Sequence, residues 1–146
     1  MAHALVGRLV MVYSGLDLNL ALYVAGWRGD ARRQESLADL DNTSFKAKLD
    51  LVLLAARQEY GDNAACISDW QAWLEMANEL RRKRNDLMHG RWGILERQAV
   101  VINITGLPGL PSQHEVRYTL ADLSEEADLA VQVARRFEEL RSKWPL

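Results

Sequence analysis

The sequence carries a single cysteine, Cys66, in 146 residues. An internal disulfide is therefore excluded, and a lone thiol suits a reducing cytosol. Metal-ligand spacing is missing too. His3, His89, His114 and Cys66 form no His-Glu-x-x-His or Cys-x-x-Cys pattern, so these residues call for no metal. No Gly-rich phosphate loop or dinucleotide fingerprint precedes a helix, and there is no Gly-x-Ser-x-Gly elbow, so no cofactor is implied. Neither charge is in large excess: 18 Lys and Arg against 20 Asp and Glu give a formal charge of −2. Without a global basic field, any contact with RNA has to come from a local patch. Long hydrophobic runs are absent as well. The apolar N-terminus is interrupted by Arg8, Asp17 and Asn19, short of the roughly 18 uncharged apolar residues of a membrane span. A buried helix, no membrane and a cytoplasmic location are the expectation. Repeats and low-complexity tails are not found.

What is present is ordinary globular composition, 49% apolar and 26% charged, in a length that suits one domain with one core. Leu5, Leu9, Val12, Leu16, Leu20, Tyr23 and Trp27 recur at helical spacing and predict a first helix from about Ala4 to Trp27. Its wide apolar stripe suits burial against several helices or a second subunit. Arg28 to Thr43 is polar, with Gly29, Asp30, Asp41 and Asn42, and reads as a connection carrying a short helix over Gln34 to Leu40. Ser44 can cap a second helix whose buried face is Phe45, Leu49, Val52, Leu53 and Ala56. Tyr60-Gly61-Asp62-Asn63 is a turn. A third helix starts between Ala64 and Ser68, with Ser68 or Asp69 as its cap, and runs to His89.

After Gly93 the periodicity changes. Gln98 to Thr105 is rich in β-branched residues and Glu115 to Leu120 alternates, which predicts two strands. The Pro/Gly stretch Gly106 to Ser112 joins them into a small hairpin that must pack on the helices. Thr119 and Asp122 have capping-box spacing and open a last helix, with Leu123, Ala127, Ala130, Val131, Ala134, Phe137, Leu140 and Trp144 on its apolar face.

The chemistry concentrates in Arg81 to Gly93, RRKRNDLMHGRWG. Trp70, Trp73, Leu74, Ala77, Leu80, Leu87 and Met88 share one apolar arc of the third helix, and Arg84 falls near its middle. A charge there needs an anionic partner. Asn85 and His89 are four residues apart and share a flank, and Gly90 supplies the helix stop that leaves His89 in the last turn. An Arg and a His so placed can bind a phosphodiester and exchange a proton with it. The same spacing also fits an Arg with an internal carboxylate, beside a His that only ends a helix. Between Arg81 and Arg97, six Arg or Lys face two carboxylates, Asp86 and Glu96, a modest basic patch. Of the five Trp residues, Trp92 is the one open to RNA; the others sit at core spacing.

Arg84-Asn85-Asp86-Leu87-Met88-His89 resembles the Arg-polar-x-x-x-His motif of HEPN domains, small all-helical bundles that include metal-independent ribonucleases of toxin–antitoxin and phage-defence systems. The order of helices resembles small bacterial HEPN-like proteins over most of the chain; the specific part covers about ten residues. The resemblance implies a mainly α bundle of four to five helices with the hairpin between the last two. It implies cleavage of RNA by attack of the substrate's 2′-hydroxyl, with Arg84, Asn85 and His89 as the catalytic set. Arg81, Arg91 and Trp92 support them, and Asp17 in the first helix is the candidate partner of Arg84. It further implies a homodimer that brings two motifs together, an RNA substrate, and an antitoxin or other regulatory protein as partner. Some toxin members carry a Tyr two residues after the His that a partner nucleotidyltransferase modifies; Arg91 stands there, so neutralisation of that kind is not expected. Many HEPN-like domains keep the fold without cleaving RNA, so the alternative is a non-catalytic dimeric module that binds nucleotide, RNA or a partner protein.

Overall fold

A computed structural model describes residues 1–29, 33–61, 63–95 and 100–146. Asp30, Asp62, Glu96 and Arg97, named above in turns and in the basic patch, lie outside the described residues, as do Gln98 and Ala99 at the start of the expected strand. Five helices carry the fold: α1 (Ala2–Trp27), α2 (Arg33–Asp41), α3 (Phe45–Tyr60), α4 (Ala64–His89) and α5 (Leu120–Lys143). Between the last two runs an antiparallel sheet of β1 (Arg91–Leu95), β2 (Val100–Thr105) and β3 (His114–Tyr118), in the order β1-β2-β3. The mainly helical expectation therefore holds. The insertion is larger than a hairpin, and Leu120 belongs to α5 rather than to a strand.

The extra strand has a local cause. Arg91 to Leu95 pairs residue for residue with β2, Arg91 opposite Ile104 and Leu95 opposite Val100. Its sequence, RWGIL, is short and lacks polar alternation, and its stability comes from cross-strand pairs rather than from its own pattern.

Helix ends follow from side chains. Ser44 accepts from the Ala47 N–H and starts α3. Thr119 and Asp122 form the reciprocal capping box of α5. The cap of α4 is Asn63, whose side chain accepts from the Cys66 N–H, and not Ser68 or Asp69. At its other end Gly90 is extended, with φ −86, so the glycine is not needed for a left-handed turn. It is needed for space: a Cβ there would lie 1.7 Å from Asn103 Oδ1. Asn103 is buried and donates its Nδ2 to the Leu87 carbonyl at 3.2 Å, and Trp92 Nε1 donates to the same carbonyl at 2.9 Å. The sheet thus caps the last turn of the motif helix.

α1 packs on α5, α3 and α2, and α4 packs on α3 and α5, so α1 and α4 stand diagonally across the bundle. One apolar cluster fills the centre, with Trp70, Trp73 and Phe137 its largest fully buried side chains. On α1 the buried set is Leu9, Tyr13, Leu16, Leu20, Ala21, Val24 and Ala25. On α5, Val133 occupies the core position and Val131 and Ala134 are only half-buried. Among the described residues, α1 alone is long and apolar enough to cross a membrane, with mean hydropathy 1.4 over its most apolar window. The C-terminus is tied down: Asp69 Oδ2 accepts from Lys143 Nζ at 2.7 Å and from Trp144 Nε1 at 3.1 Å.

Candidate functional site

Arg84 and Asn85 lie on α4 where the start of α3 approaches α1. They line a pocket of about 350 Å³ with Arg81, with Tyr13 and Asp17 of α1, and with Ser44, Phe45 and Lys46. The Arg84 guanidinium stands 5.2 Å from the centre of the Tyr13 ring, and that ring stacks on Phe45 at 4.5 Å. Asn85 Oδ1 accepts from Arg84 Nη1 at 3.2 Å. Cation–π contact and one hydrogen bond hold the fork in place.

The expected pairing of Arg84 with Asp17 is not formed. Asp17 Oδ1 lies 2.8 Å from Lys48 Nζ, and Lys48 is the buried member, 4% exposed against 36% for Asp17. The reason is reach. Lys48 sits one turn into α3 on its core face, where its ammonium has no other counter-charge among the described residues. Burial there requires a carboxylate. Among the described residues no carboxylate is within ion-pair distance of Arg84 or Arg81. The Nε of each is buried without a partner. Burial pushes the Tyr13 phenol up to about 12, with Asp17 adding to the rise and Arg84 and Arg81 pulling against it.

His89 is exposed and does not line this pocket. On α4 it follows Asn85 by one turn on the same flank. The other expected residues have structural tasks. Arg91 is exposed and donates to the Gly106 carbonyl at 2.9 Å. Trp92, 39% exposed, donates to Leu87 and lies against Tyr118, with ring centres 6.0 Å apart. The structure therefore gathers Arg84, Asn85, Arg81 and Asp17 in one pocket and leaves His89, Arg91 and Trp92 outside it. Met88 is 44% exposed and leaves the apolar arc.

Four residues of the pocket, Tyr13, Ser44, Phe45 and Lys46, were not among the expected site residues. Tyr13 lies one turn before Asp17 on the same flank of α1, a signal that was available. Ser44 was legible as a cap, but nothing in the sequence says what its helix end faces. Near the N-terminus of α1 an apolar groove of about 650 Å³ opens, lined on α1 by Val6, Val10 and Met11 and across from it by Met88, Trp92 and Ile94. Among the described residues no three His, Cys, Asp or Glu side chains cluster as metal ligands would. Comparison with protein-family models, with characterised proteins and with solved structures finds nothing that matches this chain.

Proposed function

We propose that the chain is a metal-independent endoribonuclease of the HEPN type, a toxin or phage-defence protein acting as a homodimer. The observation that carries the reading is Arg84: a guanidinium on the motif helix, fixed by Tyr13 and Asn85, without a carboxylate partner among the described residues, and facing a pocket. In the reaction the ribose 2′-oxygen attacks the adjacent phosphorus. The bond to the 5′-oxygen breaks, and a 2′,3′-cyclic phosphate and a 5′-hydroxyl remain. His89 carries the proton from the attacking hydroxyl or to the leaving oxygen. Arg84 offsets charge on the pentacoordinate transition state. Asn85 holds the fork of Arg84.

The dimer belongs to the same reading. Met11, 77% exposed, and Ile94, 65% exposed, line the apolar groove, and Leu18, two turns along α1 from Met11, is 59% exposed. Large exposed apolar side chains around such a groove mark an interaction surface. One observation favours the alternative, a non-catalytic dimeric module that binds nucleotide, RNA or a partner protein: His89 is exposed and does not line the pocket of Arg84. Incubating the protein and His89→Ala with mixed cellular RNA in chelator separates the two. Cleavage by the wild type alone supports the nuclease; equal cleavage by both, or by neither, removes His89 from the chemistry.

A further inference from the structure

The pocket at the start of α3 has an electrostatic character of which the ribonuclease reading uses only Arg84. α3 is a 16-residue helix capped by Ser44, and Ser44, Phe45 and Lys46 line the pocket. The cap hydroxyl takes the Ala47 N–H, so the first-turn N–H groups of Phe45 and Lys46 have no intrahelical acceptor. They stand at the positive end of the helix dipole. A second and independent feature lies opposite. Arg81 and Arg84 line the same pocket, no carboxylate of the described residues pairs with either, and both buried Nε atoms lack a partner. The remaining charges cancel: Asp17 is matched by Lys48, and Lys46 bonds Asp50. Among the described residues, two arginines are left without a carboxylate partner at a helix N-terminus.

We infer that this pocket binds a phosphate monoester dianion, carried by a nucleotide or by a phosphorylated RNA end. The charge argues for the monoester: two unmatched guanidinium groups suit a phosphate bearing close to two negative charges. Helix N-terminus and arginine forks together form an anion site by backbone N–H donation, dipole and bidentate pairing. The volume, about 350 Å³, takes more than one phosphate group but lies at the lower end of the roughly 300–1,000 Å³ of small-ligand sites. Neither aromatic ring among the described lining residues is free to stack on a base. Tyr13 and Phe45 are both 8% exposed, and the Tyr13 faces are taken by Phe45 and Arg84. The site therefore reads the phosphate and is indifferent to the nucleobase. It shares Arg84 with the ribonuclease reading and does not require cleavage.

The test is calorimetric titration of the full chain at constant ionic strength, with chloride as the reference anion. Inorganic phosphate should bind saturably at one site per chain, and adenosine and uridine 5′-monophosphates should bind alike, within about threefold. Ser44→Asp keeps an equally good helix cap but sets a carboxylate in the pocket, and should weaken phosphate about tenfold or more. Arg81→Gln should weaken it similarly, while Arg136→Gln, an exposed arginine bonded to Glu139, should change nothing. An RNA oligomer with a 5′-phosphate binding better than its dephosphorylated form assigns the ligand to RNA ends. Equal binding of the two oligomers, with mononucleotide still bound, assigns it to free nucleotides. No saturable binding beyond chloride, or wild-type binding in Ser44→Asp and Arg81→Gln, overturns the site. Cleavage with no phosphate binding would sink this inference and spare the nuclease; phosphate binding without cleavage does the reverse.

Discussion

Replacing Asp17 by Asn removes the counter-charge of a lysine that is almost wholly buried. Lys48 Nζ lies 2.8 Å from Asp17 Oδ1, and only Asp17 keeps appreciable contact with water, at 36% against 4% exposure. The gross attraction at that distance is about 6 kcal/mol for an effective dielectric constant near 20, and most of it offsets the desolvation of the ammonium. Breaking such a pair from the carboxylate side costs about 3–5 kcal/mol, and water reaching the rim near Asp17 puts this case at the lower end, ~3 kcal/mol. With a urea slope of about 2 kcal/mol per molar, the unfolding midpoint should fall by roughly 1.5 M. Lys48→Met removes the other charge, keeps the stem volume and leaves Asp17 at the surface. It should cost less than about 1 kcal/mol, and it should rescue most of Asp17→Asn in the double variant. Arg84→Met should give no such rescue, because Arg84 is not the partner. Urea unfolding of the four variants decides it. A loss below about 0.5 kcal/mol for Asp17→Asn, or rescue by Arg84→Met instead of Lys48→Met, would refute the assignment.

Gly90→Ala should destabilise by about 2 kcal/mol, because the new methyl displaces Asn103 from the Leu87 carbonyl; combined with Asn103→Ala the losses should be less than additive in denaturant melts. Asp69 has its carboxyl held below the usual range, first by its hydrogen bond to Lys143 and then by Trp144. A depressed folded value gives stability that is present above the unfolded value and lost as pH falls through the folded one. Asp69→Asn should therefore cost ~1 kcal/mol at pH 7 and progressively less as the pH falls through the carboxylate range, read from thermal melts across that range. Met11→Arg, on the exposed stripe of α1, should turn the proposed dimer into a monomer by light scattering without lowering helix content; an unchanged mass would move the interface elsewhere.

Four of the five helices and two of the three strands were legible because their patterns are local. Leu9, Leu16 and Leu20 repeat at helical spacing, Ser44 and the Thr119–Asp122 pair mark starts, and Val100 to Thr105 is β-branched. The fifth, α2, was legible only as a short helix in a polar connection. What escaped depends on partners distant in sequence. β1 is a strand only because β2 lies beside it. The partner of Asp17 is Lys48, 31 residues away, and nothing in the spacing of either helix orders Lys48 above Arg84. Lys48 does fall three residues after Phe45, on the face that includes Val52, so its burial could have been read from periodicity. For the site, spacing brought Arg84 and Asn85 together. It set His89 on the same flank but could not show that the α3 start closes a pocket around the arginine and leaves the histidine outside.

The nuclease reading is tested most directly by a single RNA oligomer with one cut site, prepared with ribose or with deoxyribose at the nucleotide 5′ to the cut, and incubated in chelator. The reading predicts that the ribose form is cleaved to a 2′,3′-cyclic phosphate and that the deoxyribose form survives. It also predicts that His89→Ala slows cleavage by about 10²–10⁴-fold while RNA affinity changes little. Cleavage of the deoxyribose form, products without a cyclic phosphate, or a wild type that cuts nothing would contradict it.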